Sequence, residues 1–405
     1  MHNPLNKFRA REKGEYRIHL SIKVKAAIVI GLLSAILSCS LLTSERQAAL
    51  YKSGEYYNYI QPTFDNYVQA TESWLMNNRT YLSNDYKKER LMNMPFSLGN
   101  KEDNNKAILL VHGLGDSPYS FSDLAKTLHR QGFHVQVILL PGHGSKPQDL
   151  MLPSYDDWQE VVDHYANILK KDFSTVWLGG YSTGGNLVTI HTMENKGIDG
   201  LLLFAPGFQS NIPIIERFAR VASLFVDGYE REEVNLARYS SSTIQGGIAY
   251  ADSAFKLRAL LDDRIIKVPT LAVLSEADSA INSASVKELY LKHFDHPRNQ
   301  MVWYGNAHLA HESVQYLSMQ LKKERISTGS HMSPLFAPDN PYYGVNGERR
   351  MCETTFKKQK SLRCIKNKDV WFGAWGYKEE GKTHTRLTWN PYYLKLEKEI
   401  EKITQ

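Results

Sequence analysis

The sequence predicts an α/β fold in which a mostly parallel, doubly wound sheet is covered by helices on both faces. Three observations predict it. Short apolar runs recur from Lys106 onward, at Ala107–Val111, Val135–Leu140, Thr175–Leu178, Gly200–Phe204, Thr270–Leu274 and Gln300–Trp303. Helix-length amphipathic stretches separate these runs. The runs are continuous rather than alternating, which marks strands buried on both faces and therefore a parallel sheet. Residues 105–325 are assigned to this domain.

The chain begins differently. Of its 405 residues, 42% are hydrophobic and 23% charged, which is ordinary for a soluble globular protein and argues against several membrane spans. The net charge of +6 is partly gathered at the start. There Lys7, Arg9, Arg11, Lys13, Arg17, Lys23 and Lys25 face only Glu12 and Glu15. The remaining charge is dispersed, so no nucleic-acid footprint is read. The apolar run Ala26–Leu37 follows, with Cys39 directly behind it. A basic stretch and a short apolar run make a secretory signal. Ile36-Leu37-Ser38-Cys39 resembles a bacterial lipobox, which implies lipid attachment at Cys39. The alternatives are an uncleaved anchor, since Ala26–Leu42 is just long enough for a hydrocarbon core of about 30 Å, and a buried core helix. In the two leading readings, lipid attachment and the anchor, residues 1–43 hold the chain to a membrane. The basic flank stays inside, so the body lies in the cell envelope outside the cytoplasm, on the periplasmic side for a bacterial lipoprotein.

Residues 44–104 are expected to form a helical extension, because Tyr67, Val68, Trp74 and Leu75 recur at roughly helical spacing. Between Phe204 and Thr270 no buried strand is legible. Ile215, Phe218, Val221, Leu224 and Phe225 fall at helical spacing, so a helical cap over about residues 207–266 is expected. Residues 326–405 form a C-terminal extension rich in Gly, Pro, Asn, Tyr and Lys, closed by a helix from Tyr392 to Ile403. Gly329–Met332 (GSHM) is read as loop sequence within it. Cys352 and Cys364 suit a disulfide in an oxidising compartment, and two free thiols are the alternative.

The chemistry centres on Gly180-Tyr181-Ser182-Thr183-Gly184-Gly185, a G-x-S-x-G turn between an apolar run and a helical stretch. Strand, sharp turn and helix expose a serine hydroxyl at the carboxyl edge of a sheet. Upstream, Ala107–Val111 runs directly into His112-Gly113-Leu114-Gly115. Downstream, Thr270–Leu274 leads into Ser275-Glu276-Ala277-Asp278, and Gln300–Tyr304 into Gly305-Asn306-Ala307-His308-Leu309-Ala310-His311.

Together with Leu139–Leu150 (LLPGHGSKPQDL), these motifs resemble the esterase and monoacylglycerol-lipase branch of the α/β-hydrolases, over about residues 105–325. The resemblance implies an α/β-hydrolase fold with a catalytic triad in the chain order Ser, acid, His. Ser182 is the nucleophile, and the backbone N–H groups of Leu114 and Thr183 are the oxyanion donors. His112 then shapes the loop. Asp278 is preferred to Glu276 as the acid, because it stands where the family places it. His308 is preferred to His311 as the base: it lies nearer the strand, whereas His311 is expected to open the next helix. His143 precedes the acid, which is the wrong order. Phe208, Ile212, Ile214, Ile215 and Phe225 either wall an apolar acyl pocket or simply pack the cap on the core.

The implied function is a membrane-anchored enzyme cleaving small-molecule acyl esters or lipids through an acyl-enzyme, with no metal or organic cofactor. The alternatives are an acyltransferase or peptidase on the same triad, and a non-catalytic hydrolase-fold binding protein of the envelope. The acyl chain, the head group and the oligomeric state are not legible.

Overall fold

The apolar runs are built into one sheet whose carboxyl edge carries the motifs. The computed structural model describes residues 49–102, 104–306, 311–352, 364 and 369–405. Cys39, the run Ala26–Leu42 and His308 lie outside the described residues. Among those described, no helix is long and apolar enough to cross a membrane.

The chain enters through two capped helices. In α1 (Phe64–Asn78) the Thr63 side chain accepts from the Asn66 N–H, and in α2 (Tyr86–Asn93) Asp85 accepts from the Lys88 N–H. Each cap satisfies an otherwise orphaned donor of the first turn. Phe64, Tyr67, Thr71 and Leu75 form the buried face of α1 at helical spacing. The Tyr67 hydroxyl donates to Leu139 O at 2.6 Å and accepts from Leu139 N at 3.0 Å, locking this extension to the loop that follows the third strand.

The strands are β1 (Phe96–Leu98), β2 (Lys106–Val111), β3 (Phe133–Ile138), β4 (Thr175–Tyr181), β5 (Gly200–Phe204), β6 (Thr270–Ser275), β7 (Gln300–Tyr304) and β8 (Val314–Leu317). They form one eight-stranded sheet in the order β1-β3-β2-β4-β5-β6-β7-β8. β1 runs antiparallel to β3, and every other pairing in this sheet is parallel. The crossovers between parallel strands include α3 (Ser122–Arg130), α4 (Tyr155–Asp172), α5 (Thr183–Glu194) and α8 (Ser283–His293). The two edge strands left no apolar run in the sequence because each is only partly buried.

The cap interrupts the sheet between β5 and β6. It comprises α6 (Pro213–Ala222), a two-residue antiparallel ribbon joining Gly228–Tyr229 to Ser242–Thr243, and α7 (Ile244–Asp263). A buried ion pair ties it to the N-terminal extension. Arg79 meets Glu89 at 3.1 Å with both side chains almost fully enclosed, and the same guanidinium donates to Leu236 O at 2.9 Å. Glu89 also accepts from the N–H groups of Leu82 and Ser83.

Beyond β8 the extension folds onto the same core. Leu335, Phe336, Tyr343, Leu387 and Trp389 are buried in one hydrophobic cluster with the sheet residues. Trp371–Gly373 and His384–Arg386 pair as a small parallel ribbon, and α9 (Tyr393–Thr404) buries Leu396, Ile400 and Ile403. Cys352 and Cys364 are joined, with Cα atoms 5.7 Å apart, and pack with Val370. Residues 48–405 form one unit.

Replacing Glu89 with Ala leaves the Arg79 charge buried without its carboxylate. The expected loss is about 3–5 kcal/mol, the usual result of removing one partner of a buried pair. Urea unfolding of Glu89→Ala beside the parent measures it, and a change below 1 kcal/mol (roughly the value of an exposed pair) contradicts it.

Candidate active site

Ser182 stands between β4 and α5 in a conformation that L residues seldom adopt, with φ 53° and ψ −118°. Such backbone costs about 1–3 kcal/mol and persists only where its surroundings impose it. Here they do. Ser182 N donates to Phe204 O at 3.1 Å, while Ser182 O accepts from Gly185 N at 2.9 Å and Gly207 N at 2.8 Å. The turn also needs room. A Cβ on Gly113 would stand 2.9 Å from Ser182 Cβ, and one on Gly184 would strike the Val111 carbonyl. The glycines are therefore where the loop after β2 and the Ser182 turn touch.

That loop is braced by two buried imidazoles. His112 Nε2 accepts from Leu140 N at 3.0 Å, so its proton sits on Nδ1, which donates to Gly113 O at 2.8 Å. His143 Nε2 accepts from Gly115 N at 3.0 Å, and its Nδ1 faces the carbonyls of Leu140 and Pro141. The rings meet edge to face, 4.8 Å apart. Burial holds His112 well below the usual histidine range, with His143 adding to the effect, and lowers His143 to about 4. Both are neutral, as these hydrogen bonds require. Their roles account for two of the motifs: His112 shapes the loop after β2, and His143 supports that loop from the one after β3. Leu114 lies in a turn closed by Asp116 N donating to Gly113 O at 3.1 Å. Thr183 is the first residue of α5, where a helix leaves its N–H groups without intrahelical acceptors.

Asp278 follows β6 with its side chain fully enclosed. One oxygen accepts from Ala280 N at 2.7 Å and Ile281 N at 3.0 Å. The other lies 2.6 Å from Nδ1 of His331. The imidazole expected at Asp278 was His308, which lies outside the described residues. The one that the structure places there is His331, from the C-terminal extension. Its ring packs beside Tyr181, the residue before Ser182, at 5.0 Å between centroids.

The local sequence explains this placement. Gly329 passes so close to the Ser275 hydroxyl, at the end of β6, that it has no room for a Cβ. Ser330 donates to Leu387 O, and Ser333 returns a bond to Ser330 O at 2.8 Å. Met332, Leu335 and Phe336 are then buried. Asn340 and Ala337 N anchor the following turn on Asp123. A signal for His331 was available, since it also follows Ser182 and Asp278 in the chain. The rule of nearness to the strand end pointed instead to His308.

Other expectations are settled by partners. Glu276 accepts from Asn306 N at 2.8 Å and so shapes the loop after β7. His311 does not open a helix. Its Nδ1 is 2.9 Å from the Ser313 hydroxyl, in a turn that leads into β8. Phe208 is buried in the core, whereas Ile212, Ile214 and Phe225 are exposed and do not wall an enclosed acyl pocket. The reason lies in α6, whose inward side carries Glu216, bonded to Ser210 N at 2.7 Å and Arg258 at 3.1 Å. Sequence reading also missed Asp116, which is buried near the Arg238 guanidinium of the cap at 3.6 Å. Burial raises the Asp116 carboxyl, and Arg238 opposes that shift. Among the described residues no group of His, Cys, Asp and Glu could hold a metal ion.

The chain is similar to several known proteins. The family model described as serine aminopeptidase S33 matches residues 102–245. A thermostable monoacylglycerol lipase from Bacillus sp. (strain H-257) is 30% identical over 95 residues, covering 24% of this chain and 38% of the lipase. That match thus spans well under half of the lipase. A carboxylesterase from Bacillus subtilis (strain 168) is 24% identical over 211 residues, covering 49% of this chain and 82% of the esterase. The solved monoacylglycerol lipase of Paleococcus ferrophilus aligns with a TM-score of 0.44 and 18% identity over 56% of this chain and 90% of that one. On its sheet order and its strand–serine–helix turn the chain has an α/β-hydrolase fold, and in sequence it is similar to a monoacylglycerol lipase and a carboxylesterase.

Proposed function

We propose that the chain hydrolyses carboxylic esters, small-molecule or lipid, with Ser182 as nucleophile, His331 as base and Asp278 as the acid that orients it. The observation that carries this reading is the Asp278–His331 contact at 2.6 Å beside the strained Ser182 turn. With Nδ1 donating to Asp278, the other nitrogen is the acceptor of the neutral ring. His331 takes the Ser182 proton through that nitrogen as the oxygen attacks the acyl carbonyl. The N–H groups of Leu114 and Thr183 receive the oxyanion, each donor contributing about 2.7–4 kcal/mol to the transition state. The alcohol leaves with the proton from His331, and water repeats the cycle on the acyl-enzyme. Asp278, held by two backbone N–H groups, orients the ring and stabilises the imidazolium.

The same reading places the enzyme at a membrane, held by residues 1–43 through lipid on Cys39 or an uncleaved anchor, with its body outside the cytoplasm. The basic-then-apolar start and the Cys352–Cys364 disulfide support it. The serine aminopeptidase description of the matching family supports a second reading, hydrolysis of an N-terminal peptide bond. Aminoacyl p-nitroanilides measured beside p-nitrophenyl esters separate the two.

A fluorophosphonate probe is expected to label Ser182, and Ser182→Ala to abolish both labelling and ester turnover. His331→Ala is expected to lower kcat by on the order of 10⁴–10⁶-fold, while His308→Ala stays within about threefold. The reverse ranking assigns the base to His308 and refutes the role of His331. Gly113→Ala pushes a methyl group against Ser182 Cβ. It should cost about 100-fold in kcat/KM, read with p-nitrophenyl butyrate.

The neutral histidines also set a pH response. Their folded pKa values lie below the unfolded value of about 6.5, so the unfolded chain binds protons first on acidification. Stability from His112 and His143 is therefore complete above that value and is lost as pH falls toward about 4. Thermal midpoints should decline over this window. His143→Gln, which keeps an acceptor for Gly115 N, should make the decline shallower; an unchanged slope contradicts the assignment.

A further inference from the structure

Asp116 brings a second carboxylate to the neighbourhood of Ser182. It ends the turn that carries Leu114, and its side chain is 6% exposed. Its two oxygens face different ways. Oδ2 stands 3.3 Å from the point where a Cβ on Gly113 would lie, and Ser182 Cβ stands 2.9 Å from the same point. The carboxylate and the serine are therefore close neighbours across Gly113. Oδ1 faces the cap, where Arg238 Nε lies 3.6 Å away. On the ester-hydrolase reading, on which this inference rests, negative charge grows on the acyl oxygen beside Ser182. A second negative charge in so poorly solvated a place opposes it.

The segment that carries Arg238 is tied down from three sides. Tyr239 N donates to Gly115 O at 2.8 Å, in the loop after β2. Leu236 O accepts from Arg79 at 2.9 Å and from Asn93 at 2.7 Å, both in the N-terminal extension. Leu236 N donates to the Tyr342 hydroxyl at 2.8 Å, and Arg238 Nη1 lies 3.5 Å from the sulfur of Met332, both in the C-terminal extension. The other groups that face Asp116 are His331, Arg386 and Tyr343 from that extension and Tyr181 from β4. Burial raises the Asp116 carboxyl, and Arg238 is the strongest of the groups that oppose the shift.

We propose that Arg238 cancels the Asp116 charge beside Ser182, so that the seated cap completes the electrostatics of the reaction centre. Arg238 is then a positioning residue that acts through Asp116. A cap displaced from the loop takes the guanidinium with it and leaves the carboxylate to oppose the oxyanion. The pair makes turnover conditional on where the cap lies.

The test uses the full chain and p-nitrophenyl butyrate, with turnover counted per serine that a fluorophosphonate titrates, so that misfolded protein is left out. Arg238→Gln is expected to lower kcat about 100-fold, the effect of one unit charge about 6 Å away at an effective dielectric of about 20. KM should stay within about threefold. Losing the guanidinium lets burial raise the Asp116 carboxyl further, so the group is neutral in acid and charged in alkali. The deficit relative to the parent should therefore deepen from about pH 6 to about pH 9. Arg238→Lys, which keeps the charge, and Arg238→Gln with Asp116→Asn, which removes both, should each recover about tenfold or more of the loss. A double variant as slow as Arg238→Gln overturns the proposal. So does a deficit that ignores pH, or one that vanishes when counted per titrated serine. The rate of fluorophosphonate labelling should follow the same order, since charge also grows on the phosphonyl oxygen. If the parent cleaves no ester while labelling keeps that order, the ester reading falls and this inference stands. A parent that neither cleaves nor labels overturns both.

Discussion

The sharp turn at Ser182 is the constraint around which this molecule is arranged. A serine with positive φ at the end of a strand is stable only if neighbouring backbone holds it from several sides. Phe204 O, Gly185 N and Gly207 N do so here, drawing on the next strand, the following helix and the start of the cap. The same turn dictates glycine at 113 and 184, because two loops and a helix converge where a Cβ has no volume to occupy. Strain at Ser182 is thus offset by the sheet and by the close approach of β2, and the close approach brings the loop after β2 to the serine.

Buried imidazoles then divide the polar work by protonation and partner. His112 and His143 are neutral through burial, and each uses one nitrogen to accept a backbone N–H of a loop that would otherwise bury it unpaired. His331 faces a carboxylate whose other oxygen is already satisfied by backbone. The same side chain is a scaffold in two places and faces an acid in the third. Local hydrogen bonding, rather than residue type, makes the difference.

One extension braces the cap and the other reaches Asp278. Arg79 and Glu89 fasten the N-terminal helices to the cap through an enclosed ion pair and a bond to Leu236 O. The segment after β8 threads past Ser275 to deliver His331 and then buries Leu335 and Phe336 beneath it. In the cap, the inward Glu216 fixes α6, and Ile214, Phe218 and Val221 face outward.

Much of this was legible in the residues alone, and the physics says why. Continuous apolar runs encode strands buried on both faces, so the central parallel sheet could be read. The G-x-S-x-G and H-G-x-G turns are local steric requirements, written as glycines beside Ser182 and directly after β2. Two acids stand just past the end of β6, and it was the resemblance to the family, not the strand end, that favoured Asp278 over Glu276. The edge strands β1 and β8 were not, since half-exposed strands need no apolar run. The outward stripe of α6 has the same periodicity as an inward one, and only the partners of Glu216 reveal its direction. Chain order admitted both His308 and His331, and nearness to a strand favoured the first. What put His331 on Asp278 is the path of a distant segment across the end of β6, a long-range packing outcome that no local pattern records.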